Sequence, residues 1–312
     1  MHSEEAALLY GKKNRFRGVL IGVMLGDAFG LAVERRGEAV FRDNKILGQY
    51  SDDTQMTLAL AECLADNGVE MTQEQLAQSF AEHYDIRRGY GGFCGPILED
   101  IRDGTPWHLA VAKHKPKGGS WGNGCAMRIA PLALVGKEAM STEAMCAVTG
   151  HTHEDALFWA EAQWAQIRCL AVGSRGRRNP AQLRSWVGKF IMKGPRYRWI
   201  ANNLDMPPEA AAKALGNGYS AAEAVPCAIW AFWSAFEKGP VAVLHQAARI
   251  GGDVDTITSM AGALAGGYFG YRRWPKELVD QLENGERGKD FALGLADDLA
   301  ELAWDLSASD GQ

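Results

Sequence analysis

The residues with the most evident chemistry form two acidic clusters far apart in the chain, Ser51-Asp52-Asp53-Thr54 and Gly252-Asp253-Val254-Asp255-Thr256. Each combines carboxylates with hydroxyls at the expected start of a helix. Asp is a common N-cap, so capping alone would satisfy either cluster. Together they suggest more. Four carboxylates aimed at one place repel one another unless a cation lies among them. An oxygen-only donor set of Asp, Ser and Thr, without His or Cys, suits Mg²⁺ or Mn²⁺ rather than zinc. Two such clusters fit a pair of ions about 4 Å apart, able to orient or polarise a water or a substrate hydroxyl. Spacing alone does not bring the clusters together in space.

The elements that must position them are helical. Behind the second cluster, Ile257, Met260, Leu264 and Tyr268 recur at a helical period. Ser259, Gly262, Ala263 and Gly266 form a narrow second stripe that lets a neighbouring helix come very close. The first cluster opens a helix over 54–65. Residues 18–33 are apolar on nearly all sides and predict a central helix, whose one acid, Asp27, must be paired, coordinated or at a helix end. Glu34-Arg35-Arg36-Gly37 then leads into a polar loop. Further helices are expected over 72–84, 125–135 (bent by Pro131), 141–148, 155–172, 208–215, 221–236 (with Pro226 in the first turn) and 291–306. Alternating strand patterns are nearly absent, and no linker separates two compositions. The reading is a single all-α domain over 16–306, a compact orthogonal helical bundle, preceded by a loose polar arm over 1–15.

Composition bounds the function. The 312 residues are 47% hydrophobic and 23% charged, as in soluble globular proteins. A net charge of −5 gives no support to nucleic acid or an anionic membrane as partner. The six cysteines are scattered without a Cys-x-x-Cys pair, which points to a reducing, cytoplasmic setting. The basic stretch ahead of residue 18 imitates a signal peptide, but Asp27 interrupts the apolar run, and none reaches the roughly 18 residues that span a bilayer. Residues 175–198 carry eight basic residues and no acid, either a solvated face or a rim attracting a phosphate-bearing substrate. Glycine is dense over 89–124, where backbone could approach a ligand closely.

Six stretches, in order, resemble the ADP-ribosylglycohydrolase family, which includes dinitrogenase reductase-activating glycohydrolase and the eukaryotic ADP-ribosyl-acceptor hydrolases. They are residues 22–30 (GVMLGDAFG) with Glu34, then 50–54 (YSDDT), then 119–128 (GSWGNGCAMR) with 129–131 (IAP). Thr152-His153 with Asp155-Ala156, residues 216–226 (GNGYSAAEAVP) and 251–256 (GGDVDT) complete the set. The resemblance as a whole extends over 18 to about 275.

The resemblance implies that Ser51, Asp52, Asp53, Asp253, Asp255 and Thr256 hold two Mg²⁺ (or Mn²⁺) ions, with Ser51 where the family more often has Thr. It implies a catalytic role for Glu34, on a mobile loop over the metals, together with Asp53 and Asp253. It places ADP-ribose on the loop Gly119, Ser120, Trp121, Gly122, Asn123 and Gly124, with Trp121 stacking on adenine, His153 near the diphosphate and Gly91 at the ribose end. The activity implied is hydrolysis at C1 of the distal ribose, releasing ADP-ribose from a modified protein. The 22–34 motif is closer to the bacterial type, which favours an arginine acceptor. A competing reading is a binding protein that neutralises an ADP-ribosylating toxin or transferase, with residues 1–15 as a plug. A third is a dinuclear phosphoesterase that would release AMP.

Overall fold

The computed structural model describes residues 3–172 and 194–309. In chain order the helices are α1 (Ser3–Arg36), α2 (Ala39–Asp43), α3 (Asp52–Asn67), α4 (Gln73–His83), α5 (Cys94–Arg102) and α6 (Trp107–His114). Next come α7 (Gly124–Arg128), α8 (Ala130–Val135), α9 (Thr142–Ala147) and α10 (Glu154–Ala171). The second described segment holds α11 (Pro195–Asn202), α12 (Pro208–Leu215), α13 (Ala221–Ala235), α14 (Pro240–Ala248), α15 (Val254–Phe269), α16 (Lys276–Val279) and α17 (Lys289–Ser309). No strand occurs among the described residues, so the chain is all-α, as its sequence pattern predicts.

The centre is an antiparallel pair, α1 against α15. Gly18, Gly22, Gly26 and Gly30 recur at every fourth position and therefore share one face of α1. A Cβ on Gly22 would lie 2.2 Å from the carbonyl oxygen of Gly262, and one on Gly26 would lie 2.2 Å from that of Thr258. From the other side, a Cβ on Gly262 would lie 2.0 Å from the carbonyl oxygen of Gly22. The two backbones touch, with no room for a methyl group on either. The small-residue stripe read from the sequence of α15 is the half of this seam that the sequence made visible. Around it pack α10, α13 and α14 on α15, and α17 on α1. α3 joins through α4, α8 and α17. Trp230, Phe16, Phe29 and Phe232 are among the largest side chains with no exposed surface.

Several expectations need correction. Residues 3–15 are not a loose arm but the opening turns of α1. Lys12 donates to the carbonyl of Ala303 and Lys13 pairs with Glu301, both on α17. Glu34 is not on a loop: α1 continues through Arg36, which puts Glu34 in its last turn. α1 is long and apolar enough to cross a membrane by composition, yet 83% of its apolar window is buried inside the fold, as in a core helix. The helix expected over 125–135 is two helices, α7 and α8, with Pro131 at the start of the second, where a missing N–H costs little. Pro226 lies deeper in α13 than its first turn. Proline cannot donate to the carbonyl four residues back, and that carbonyl, of Ala222, accepts instead from the Arg196 guanidinium. Of the basic run over 175–198, only Arg196 and Arg198 lie within the described residues.

Gly22→Ala should destabilise the fold by at least about 2 kcal/mol, since overpacked core sites rarely relax for less when the obstacle is backbone. Gly294→Ala, at an exposed position of α17 with nothing within 4 Å of the added methyl, should stabilise it by about 0.5–1 kcal/mol. Denaturant melts of the two variants check both signs.

Candidate active site

The seam brings the C-terminal half of α1 beside the N-terminus of α15. Gly30 packs so closely that a Cβ there would lie 2.4 Å from Cα of Asp255. One turn earlier, Asp27 is fully buried and reaches the N-terminus of α3. It accepts from the Ser51 amide at 2.9 Å, the Thr54 amide at 3.1 Å and the Thr54 hydroxyl at 2.6 Å. α3 is thus capped by a carboxylate from another helix, which fixes where Ser51, Asp52 and Asp53 stand. This resolves the buried acid flagged in the sequence: Asp27 is paired with a helix N-terminus.

The two acidic clusters do meet. The Asp53 carboxylate accepts from the hydroxyls of Ser51 and Thr256, each at 3.2 Å, so a residue from either cluster touches it. Its other oxygen is buried without a partner. Asp253 occupies the N-cap position of α15 but spends no side-chain hydrogen bond on capping. Its carboxylate instead accepts from the Asn123 amide at 2.5 Å. Burial, then the charge of Asp255, pushes Asp52 up to about 8 and Asp253 up to about 7, and drives Asp53 well above the ordinary carboxylate value. Burial, then Asp27, raises Asp255 to about 6. Glu34 is also raised, by burial and then by Asp253.

Four of these acids line a cavity of about 520 Å³, within the range of small-molecule sites. Asp52, Asp53, Asp253, Asp255 and Thr256 lie on it, as do Gly91, Ser120, Trp121, Gly122, Asn123 and Gly124. Apolar walls come from Met56, Phe93 and Met127. Ser51 and Glu34 border an adjoining cavity of about 510 Å³ that shares Gly89 and Asp255 with the first. The glycine-rich loop over 119–124 is held from both sides. The Ser120 amide donates to Gly150, and the Asn123 amide to the carbonyl of Tyr219. The 216–226 motif serves as the brace between this loop and the second acidic cluster, since the carbonyl of Asn217 accepts from the Asp253 amide. Trp121 is 44% exposed and stacks on Tyr219, with centroids 5.4 Å apart, so it is not a core side chain.

Two expected residues fall elsewhere. Gly119 is not on the cavity wall; it turns at φ +86°, where an added Cβ would strike the Thr152 hydroxyl. His153 is the N-cap of α10, its Nδ1 accepting from the Asp155 amide at 3.1 Å. The cavity histidine is His151, two residues earlier and nearly buried. A bare His-Thr-His offered no signal for choosing between them. Arg128 and Tyr219 also line the cavity, although the sequence singled out neither side chain as a site residue.

Among the described residues, no three His, Cys, Asp or Glu side chains close around one point as they stand. The donor chemistry is nevertheless that of a hard cation: oxygen only, mutually repelling, with one Asp53 oxygen orphaned in the interior. A divalent ion would relieve both features.

Residues 9–308 match the ADP-ribosylglycohydrolase family. The chain belongs to that family. Among curated relatives, it is 28% identical to human ADP-ribosylhydrolase ARH3, the match covering 90% of this chain and 93% of the relative. It is 23% identical to ADP-ribosylarginine hydrolase Tri1 of Serratia proteamaculans, over 90% of this chain and 79% of that one. A solved structure described as an ADP-ribosylglycohydrolase-related protein complex superposes with a TM-score of 0.70 at 23% identity, covering 94% of this chain and 99% of the other. The family's fold is therefore the frame in which the acidic cavity sits.

The raised carboxylates give a signed expectation. Their folded-state values, raised to about 6 to 8, exceed that of an ordinary aspartate, so the folded state binds more protons in between. Stability they contribute is present at low pH and lost as pH rises through that range. Metal-free protein should melt a few degrees higher at pH 5.5 than at pH 8, and saturating Mg²⁺ at pH 8 should recover the difference. A calorimetric scan in EDTA and in Mg²⁺ reads both; a melting temperature indifferent to Mg²⁺ would remove the cation from the cluster.

Proposed function

We propose that the protein hydrolyses the glycosidic bond at C1 of the distal ribose and releases ADP-ribose from an ADP-ribosylated acceptor, arginine on a protein, so reversing mono-ADP-ribosylation. One observation supports this reading above the others: the acidic cluster and the glycine-rich loop line a single cavity, bridged by the Asn123–Asp253 hydrogen bond. A sugar carbon at the acidic end and a diphosphate along the loop fit that arrangement. Backbone N–H groups of a glycine-rich turn suit phosphate oxygens.

In this reading Ser51, Asp52, Asp53, Asp253, Asp255 and Thr256 hold two Mg²⁺ or Mn²⁺ ions. When bound, such ions polarise a water or the ribose hydroxyls and fix the sugar's position. The chain's own groups do the rest. A water oxygen bonds to C1 as the C1–N bond breaks. Glu34, its carboxyl held above the ordinary value, takes the water's proton. The guanidine leaves neutral and is protonated by solvent. Acid-rich surroundings at Asp53 and Asp253 stabilise the positive charge that develops on the ribose ring. Glu34 borders the adjoining cavity, which is where the acceptor would lie. The relative named ADP-ribosylarginine hydrolase favours arginine.

The plug reading loses its instrument. Residues 3–15 run along α17 as part of α1, and at 1.5 Å per residue the start of that helix lies roughly 45 Å from Glu34.

The test is release of ADP-ribose from arginine-modified and serine-modified proteins, with and without EDTA. Release from the arginine substrate is expected, abolished by EDTA and at least ~10³-fold slower in the Asp253→Ala/Asp255→Ala double variant. Release from serine alone would move the acceptor; AMP as product would point to diphosphate cleavage instead.

A further inference from the structure

Beneath the glycine-rich loop lies a buried cation with no carboxylate partner among the described residues: Arg128, with no exposed surface. Its guanidinium donates to the sulfur atoms of Met56 at 3.4 Å and Cys125 at 3.3 Å, and to the hydroxyl of Thr149. Nε has no partner. The Thr149 hydroxyl lies 3.0 Å from Nδ1 of His151. His151 in turn lies against Phe93 and turns its Nε2 edge toward the loop. A Cβ on Gly124 would be 2.7 Å from Nε2, and one on Gly122 would be 3.7 Å away.

The direction of this chain follows from what each group can do. Arginine only donates, so the Thr149 oxygen accepts from it. The hydroxyl keeps one proton to give, and donated to His151 it would make Nδ1 the acceptor. A neutral imidazole whose Nδ1 accepts carries its proton on Nε2.

We infer that Arg128 and Thr149 are positioning residues that lock His151 as its Nε2–H tautomer, a fixed donor to an anionic oxygen of the ligand. Resting on the reading above, that oxygen belongs to the diphosphate of ADP-ribose. His151 binds; Arg128 and Thr149 act through it.

The experiment is long-range ¹H–¹⁵N NMR of imidazole-labelled protein, with His151 among the seven histidines assigned by its loss in His151→Asn. Wild type should show His151 with the proton on Nε2. Thr149→Val should shift it toward Nδ1–H and weaken ADP-ribose binding about tenfold, about the worth of one hydrogen bond to a charged group. Adenosine, which lacks the diphosphate, should bind equally to both, and Thr149→Ser should restore tautomer and affinity together. An Nδ1–H tautomer in wild type overturns the relay while leaving the hydrolase reading intact, and needs no variant to fold. Thr149→Val with unchanged tautomer and affinity overturns it also. An Nε2–H tautomer in a protein that binds neither ADP-ribose nor inorganic pyrophosphate overturns the assignment to diphosphate, and with it the parent reading.

Discussion

Everything in this molecule depends on two helices touching backbone to backbone. With ordinary side chains α1 and α15 would sit 8–10 Å apart, and the acids they carry would be separated accordingly. Glycine at 18 and 22 facing glycine at 266 and 262, and glycine at 26 and 30 facing the backbone of Thr258 and Asp255, removes the intervening layer. The contact does more than fill a core. It sets the N-terminus of α15 against the last turns of α1, so that Asp255 stands close enough to Asp27 for that charge to add to the effect of burial in raising its pKa. Such proximity between acids is unfavourable in itself, and the seam supplies the rigidity that enforces it. The stability of the fold is used to hold like charges together at one place.

From that seam the site is assembled by a sequence of borrowed hydrogen bonds. Asp27 of α1 caps α3; Asp53 of α3 accepts from Thr256 of α15; Asp253, ahead of α15, accepts from Asn123 ahead of α7. Of these three helix starts, that of α3 is capped by a remote side chain, Asp27, besides its own Ser51. The other two links join the side chains of one helix start to those of the next.

This explains what could be read in advance. Helix positions were legible because apolar periodicity is local: the helix expected over 72–84 stands as α4. The small stripe of α15 was legible too, because Ser259, Gly262 and Gly266 lie at helical spacing. Its partner was not, although the glycines of α1 are equally periodic, since nothing local says which two stripes pair. The acidic residues were found by type and by family resemblance; the cavity collects the four aspartates, and Glu34 borders the adjoining one. His151 was missed in favour of His153 because a turn between two helices reorients successive side chains, and only the fold decides which one faces inward. Arg128 was hidden for a different reason. A basic residue at the end of a short helix looks like a surface residue, and only burial reveals it. The supposed arm, residues 3–15, was misjudged because its polar side chains lie along α17 while its backbone simply continues a helix begun for other purposes.

Asn123 touches both halves of the site at once: its backbone belongs to the glycine-rich loop and its side chain to the carboxylate cluster. Occupancy at either end therefore cannot be energetically private. Anything that draws Asn123 toward the loop withdraws a donor from Asp253 and makes that carboxylate more costly to leave uncompensated. Anything that neutralises Asp253 loosens its hold on Asn123 and frees the loop to adapt. Thermodynamic reciprocity requires the two effects to be equal in size. In the proposed reading, binding at the acidic end and binding at the glycine-rich end would thus be coupled through a single amide group.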